Sequence, residues 1–490
     1  MFSKKIYLIV SLCIIGLYLF TLKGNFDQPF ISQLYCPFES AHECAPFANM
    51  QSLIYYGSNS LDKNLVVFGR IDVGFYQGNF YSLFPPGLAI LAIPFYLLGH
   101  AFHVGQLFAF SFVMICALLN GLLLYYISRS IFKLSTRASL ITPVIFLLSS
   151  TAWSYGITFF QHQVSTTLLL LCFWLIWKGS QTSLPHWKYT YVPVALYGLS
   201  GHIDYPNLVL LSPMMVYLLV VICKAAAPRI QKAFLMFKLL AVLGILLLSY
   251  PLYNHILFGD WRILQNRLPH FFEVEEAGVA EQEKLVRRSA VSYIFVLDRL
   301  PKGLYTLLFS PGRGLFLYSP IFIFIFFTLR KRFFKNATTE QCILWLTVIL
   351  FLLLYGSYGD ASGGFSYGPR FLVPIMAILS LFVAQYIDSL KNKIITIALF
   401  ITLSYSQAIA LLGAITQSIN VPCVAPATIS TCTYVMNIGH LISNKSNSFV
   451  YKTMLQDHVP LFFVYIFILM LITSMSATLI FQNKKDPNST

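Results

Sequence analysis

Hydrophobic residues in this chain come in long, nearly unbroken runs separated by short polar or basic breaks. Neither the alternation of a half-buried strand nor the 3.6-residue stripe of a surface helix dominates. The first run, 6–22, follows Lys4 and Lys5 and is succeeded by Thr21-Leu22-Lys23-Gly24, with no small-x-small cleavage site. It is expected to be an uncleaved first membrane span rather than a removed leader. Eleven further runs are predicted at 104–127, 138–158, 164–178, 190–203, 206–223, 239–256, 315–329, 341–357, 370–388, 395–415 and 460–481. Most approach the ~20 residues that cross a ~30 Å hydrocarbon core. The runs 190–203 and 315–329 are short. The fold class that follows is an all-α polytopic membrane protein of about 12 transmembrane helices.

Between the runs, three long segments stand out: 23–103, 257–314 and 416–459. In the first, Phe47, Met50, Leu53 and Ile54 fall on one helical face before Gly57. That pattern predicts an amphipathic helix lying in the membrane interface. Pro85-Pro86-Gly87 then breaks the chain, and 88–98 is too short to cross.

Composition agrees with lipid as the solvent. Only 10% of the 490 residues are charged and 57% are hydrophobic, whereas a soluble domain is about a quarter charged. The net charge of +15 then reports orientation. With the amino terminus inside, the inner segments carry 19 of the 33 basic residues against three acids. Every inner segment is basic, as the positive-inside bias requires. The three long segments therefore face outward, and the basic balance calls for no nucleic acid.

Cysteines sort by side. Cys13, Cys116, Cys172, Cys223 and Cys342 lie in or beside spans, where a thiol is a small apolar filler. Cys36 with Cys44 and Cys423 with Cys432 share outer segments, where an oxidising compartment would permit each pair to close a loop, four unrelated thiols being the alternative. No spacing matches a zinc site. Glu273, Glu275, Glu276, Glu281 and Glu283 leave a divalent cation open, but a solvated loop explains them as well.

Ionisable groups avoid the bilayer centre. Asp72, His162, His202, Asp204, Asp260, Arg313, Asp360 and Arg370 fall instead at or just beyond the outer ends of spans. A transporter or flippase would place such groups nearer the midplane and would show repeat symmetry between its halves. A surface-polysaccharide polymerase or ligase would concentrate Arg and His in one dominant late outer loop. The distribution favours an enzyme acting on a lipid headgroup. Arg313 and Arg370 sit among glycines that permit close backbone approach, and a guanidinium fork suits phosphate. The alternative for both is an interfacial anchor. An ionised Asp72 could take the proton of an attacking hydroxyl; the alternative is a loop aspartate without chemistry.

Three stretches, in order, resemble bacterial GT-C fold glycosyltransferases, the broad group with protein O-mannosyltransferases and the lipid A aminoarabinose transferase. They are Asp72-Val-Gly-Phe-Tyr-Gln-Gly-Asn-Phe-Tyr-Ser-Leu-Phe-Pro-Pro-Gly87, Leu308-Phe-Ser-Pro-Gly-Arg-Gly-Leu-Phe-Leu-Tyr-Ser-Pro320 and Gly356-Ser-Tyr-Gly-Asp-Ala-Ser-Gly-Gly-Phe-Ser-Tyr-Gly-Pro-Arg-Phe-Leu372. The resemblance spans about residues 50–380. It implies a GT-C-like catalytic region over 1–415, with 416–490 forming an outer loop, the last span and a short cytoplasmic tail. It further implies transfer of a hexosyl or pentosyl group from a polyprenyl-phosphate donor to a glycolipid, glycan or protein outside a bacterial inner membrane. Asp72 matches the family's catalytic carboxylate. The family's acid-Lys pair before Pro-Pro is replaced here by Leu83 and Phe84, so another cation must serve, and Lys302 is the expected candidate. Where some relatives carry a Lys after the fifth span, this chain has His202-Ile-Asp204. With His162, these complete the expected substrate-binding set. No resident metal or cofactor is assigned.

Overall fold

The computed structural model describes residues 2–27, 41–69, 72–183, 185–270, 295–328, 337–364, 366–417 and 434–481. The architecture is a polytopic helical bundle, and every expected apolar run contains a helix. Seven helices among the described residues are long and apolar enough to cross a membrane: Gly105–Ser130, Asn207–Lys224, Arg229–Phe258, Thr339–Gly356, Arg370–Ser389, Lys393–Ile415 and Leu461–Phe481. Lys5–Thr21, Gly87–His100 and Thr136–Leu148 are shorter apolar helices.

Two helices pack together at the centre. All residues from Ala138 to Leu148 and from Val373 to Ala384 are buried. An apolar helix can be covered by protein or by lipid, and these two are covered by protein. The rim is the reverse. In helix Arg229–Phe258, Ile230, Ile245 and Ile256 are 78%, 70% and 73% exposed. Large aliphatic side chains standing outward suit hydrocarbon and not water.

Two expected spans are interrupted. The run 138–158 stops being helical at Leu148, and hydroxyls satisfy carbonyls of its last turn. Ser149 Oγ donates to the Val144 carbonyl (3.1 Å) and Ser150 Oγ to that of Phe146 (2.6 Å). Gln163 Nε2 then donates to the Ala152 carbonyl at 2.7 Å, so the non-helical stretch stays buried with partners. The run 315–329 breaks at Pro320, which lacks an N–H. It becomes Leu315–Tyr318, a 3-10 turn Pro320–Phe324 and Ile325–Thr328, with the Ile321 N–H donating to Ser406 Oγ at 3.1 Å.

The first long segment holds more structure than its pattern suggests. Helix Ala41–Tyr56 does not lie at an interface, since Glu43 to Ser52 are buried on all sides. It packs beneath Lys63–Gly69 and Gly87–His100, and Gly57 ends it at φ 61°. A small antiparallel sheet is added to the helical fold: β1 (Ser60–Leu61), β2 (Val73–Tyr76) and β3 (Asn79–Ser82), in the order β1-β3-β2. Gln77 and Gly78, at φ 46° and 82°, form the two-residue turn that suits such a hairpin. Strand β2 is held on its other side by the segment before residue 271: the Phe75 N–H donates to the Pro269 carbonyl (3.0 Å), and Gly74 pairs with His270. Cys44 is disulfide-bonded. Cys36, Cys423, Cys432 and the glutamates from 273 to 283 lie outside the described residues.

Candidate functional site

A cavity of about 420 Å³ opens at the end of the bundle where the long segments converge. Six parts of the chain build it. The hairpin region contributes Asp72, Leu83, Phe84 and Pro85, and helix Ala41–Tyr56 contributes His42. The end of the non-helical stretch after the central helix brings Gln161, with His162 opening the helix His162–Ser180 that follows; the turn after 3-10 helix Ser200–His202 brings Asp204, Tyr205 and Pro206. Leu264, Asn266, Arg267 and His270 close one side, and Tyr355, Tyr358, Arg370 and Phe371 the other.

These parts meet because the backbone approaches closely. Gly87 starts its helix against 3-10 helix Ser200–His202, and a Cβ there would lie 2.4 Å from the His202 carbonyl oxygen. Glycine alone permits that contact. It brings the Pro-Pro-Gly break of the first segment against Asp204. The Leu83 N–H donates to the Asp72 carbonyl at 2.9 Å, so the start of β2 fixes Asp72 beside Phe84 and Pro85.

Asp72 is 7% exposed, and its Oδ2 lies 2.5 Å from His42 Nδ1. Burial raises the Asp72 pKa, but the attraction and hydrogen bond of His42, together with Arg370 and His270, outweigh it. The net displacement is below the usual carboxylate range, so Asp72 is ionised at neutral pH. Across the cavity Asp204 is shifted the other way, to about 7, chiefly by burial and despite a 3.4 Å hydrogen bond from Gln161 Nε2. One cavity thus holds two carboxyls with opposed proton affinities, a pattern that goes with division of labour.

Arg370 is 6% exposed. Its Nε and Nη1 are buried and make no hydrogen bond among the described residues. Its guanidinium lies 5.1 Å from the ring of Phe371 and 6.0 Å from that of Phe160. Buried, unpaired N–H donors on a cation are costly, and an anion in the cavity would relieve that cost. His162 Nε2 is likewise buried without a hydrogen bond; its ring stacks on Phe160 at 6.0 Å and meets Phe371 edge-on.

Of the residues singled out in the sequence, Asp72, His162, Asp204 and Arg370 come together here. Arg313, Lys302 and His202 do not line the cavity. Arg313 is 2% exposed, and its guanidinium donates to the carbonyls of Gly312, Ser362 and Gly364 at 2.8, 3.0 and 2.8 Å. Lys302 is exposed on the short helix Leu300–Leu308. His202 turns its ring to Ser249 Oγ (2.8 Å) and the tyrosines 250 and 253. Sequence reasoning missed His42, Gln161, Arg267 and His270. His42, Arg267 and His270 carry no local signal in the sequence. Among the described residues, no group of three or more His, Cys, Asp and Glu side chains could hold a metal ion.

No protein-family model matches the chain, and no curated protein does. Solved structures do. ArnT from Cupriavidus metallidurans in the apo state aligns over 98% of this chain and 78% of its own, with a TM-score of 0.53 at 12% identity. The same protein bound to undecaprenyl phosphate aligns over 97% and 76%, again at 0.53 and 12%. This chain has the GT-C fold. Arabinosyltransferase EmbB from Mycobacterium smegmatis also aligns, over 97% of this chain and 41% of its own, with a TM-score of 0.49 at 11% identity. A GT-C chain is a multi-pass membrane protein, in keeping with the apolar helices above. At such identities the likeness concerns the fold, and the chemistry has to be argued from the cavity.

Proposed function

We propose that this GT-C chain is a glycosyltransferase that moves a sugar from polyprenyl phosphate to an acceptor outside a bacterial cytoplasmic membrane. The observation that carries the reading is one cavity holding an ionised Asp72 and a buried Arg370 with two unpaired guanidinium nitrogens. A base and an anion site are what transfer from a lipid phosphate requires. The basic character of the segments expected inside supports an outward-facing cavity. Polyprenyl phosphate is favoured as donor because ArnT, with the same fold, was solved with undecaprenyl phosphate bound.

In this reading Arg370 receives the donor phosphate. The acceptor hydroxyl oxygen attacks the anomeric carbon as Asp72 takes its proton. The bond from that carbon to the phosphate oxygen breaks, and its electron pair leaves with the phosphate. One displacement inverts the anomeric configuration. His162 and Asp204 face the sugar, and Arg267 takes the place expected of Lys302 as a second cation on the cavity wall.

The test is reconstitution in liposomes with a panel of undecaprenyl-phosphate monosaccharides and extracted envelope acceptors, following release of undecaprenyl phosphate. Asp72→Asn is expected to lower the rate at least ~100-fold, the usual contribution of a general base. Undiminished transfer by the folded Asp72→Asn protein would remove Asp72 from the mechanism. Substrate movement across the bilayer without transfer would replace the enzyme by a transporter.

A further inference from the structure

The residue hydrogen-bonded to the Asp72 carboxylate, His42, comes from 30 positions earlier in the chain, and its neighbours are tied to other parts of the structure. His42 is the second residue of helix Ala41–Tyr56, and the next, Glu43, is fully buried and accepts a hydrogen bond from the Phe159 N–H at 3.1 Å. Cys44, after it, is disulfide-bonded. The His42 ring meets Phe84 edge-on at 5.0 Å, so its plane is held from the cavity side too. Among the described residues the Asp72 carboxylate has one hydrogen-bond partner, His42 Nδ1, on Oδ2; Oδ1 has none.

We infer that His42 is a positioning residue for sugar transfer, donating from Nδ1 to Asp72 Oδ2 and leaving Oδ1 to meet the acceptor hydroxyl. The inference rests on the reading of Asp72 as the base. The tautomer follows from charge: an ionised carboxylate has no proton to give, so the imidazole must donate from Nδ1. His42 itself is pushed down by burial and by Arg370, against the opposing pull of Asp72 and Asp360, so at neutral pH it is an uncharged donor. Asp72 feels His42, Arg370 and His270. Removing His42 takes away its hydrogen bond and, at acid pH, the attraction of its protonated ring, and the Asp72 pKa rises. Transfer needs the ionised form, so the acid limb of the rate profile moves to higher pH.

The decisive variant is His42→Phe, which keeps a ring beside Phe84 and deletes the donor. With the undecaprenyl-phosphate monosaccharide panel, kcat at pH 7 is expected to fall about 10- to 100-fold, the worth of one hydrogen bond to a charged group. The donor KM stays near its original value, and the acid limb shifts upward by about one pH unit. His42→Asn, whose side-chain amide can donate in place of Nδ1, recovers most of the rate. A second readout needs no substrate: the infrared band of a protonated carboxyl that Asp72→Asn removes should titrate at higher pH in His42→Phe. His42→Leu carries the same measurements should the Phe variant not accumulate. An unmoved acid limb and infrared titration, in a folded variant, overturn the inference while leaving Asp72 as base. Normal transfer by Asp72→Asn removes the base itself and is told apart by that variant alone.

Discussion

Arg313 and Arg370 come from neighbouring glycine-rich segments and are almost equally buried, at 2% and 6% exposure. Their surroundings differ completely. Arg313 donates to three backbone carbonyls, two of them in the loop at Ser362 and Gly364. Arg370 has aromatic rings beside it and two nitrogens with no acceptor. The loop that Arg313 holds passes over Arg370: a Cβ on Gly363 would sit 3.0 Å from Arg370 Nε. One arginine thus ties down the wall, and the other is left open towards the cavity. Glycine beside arginine is therefore no signature of phosphate binding. What distinguishes the two is whether the protein has already supplied acceptors.

That contrast can be broken by substitution. Arg370→Met should abolish most transfer, at least about 100-fold, while leaving thermal stability equal or higher, because unpaired buried donors are removed. Reconstituted turnover and unfolding in detergent measure the two effects; a large loss of stability would erase the distinction. Arg313→Met should do the opposite. Leaving its carbonyls without a donor is expected to cost about 1–3 kcal/mol, seen as a lowered unfolding temperature, with turnover falling only as the folded fraction falls. If binding of undecaprenyl phosphate weakens more in Arg313→Met than in Arg370→Met, the roles are reversed.

A smaller effect concerns Asp204, whose pKa is raised to about 7 by burial. Its native state binds a proton more tightly than the unfolded chain, so it favours folding most below the usual carboxylate range. That contribution is lost as pH rises from about 4 to about 7. Asp204→Asn should flatten this part of the stability profile, and an unchanged slope in denaturation across that window would assign the proton elsewhere. Smaller still, Gly78→Ala puts a Cβ on a turn residue at φ 82° and should cost about 1 kcal/mol, read as faster proteolysis of the hairpin. Lys302→Ala should change neither rate nor stability measurably, since its ammonium lies on an exposed helix.

The reading of spans from apolar runs held for Arg229–Phe258 at the rim and for the enclosed Arg370–Ser389 alike, and faltered where buried polar groups or a proline interrupt the run. Helix Arg229–Phe258 is outlined clearly by its aliphatic residues. The central run 138–158 looked equally continuous, yet its helix ends at Leu148, where the hydroxyls of Ser149 and Ser150 satisfy carbonyls of the last turn. Likewise, Phe47 and Met50 suggested a helix half in water, but Glu43 and Gln51 on the same helix are also buried. Hydrophobic pattern reports the average environment of a segment and is blind to polar atoms that find partners inside.

What the sequence determined alone was the solvent, the orientation bias and the grouping of ionisable residues at one end. Each follows from additive quantities: apolar length against bilayer thickness, and lysine and arginine counts in the connecting segments. The order of the GT-C-like stretches pointed to Asp72 and Arg370 as well. The tertiary structure decided that His42 meets Asp72 and that Arg313 is already satisfied where Arg370 is not. It also decided that Arg267, and not Lys302, reaches the cavity. Those outcomes depend on directional hydrogen bonds between groups tens or hundreds of residues apart, and no local pattern records which donor finds which acceptor.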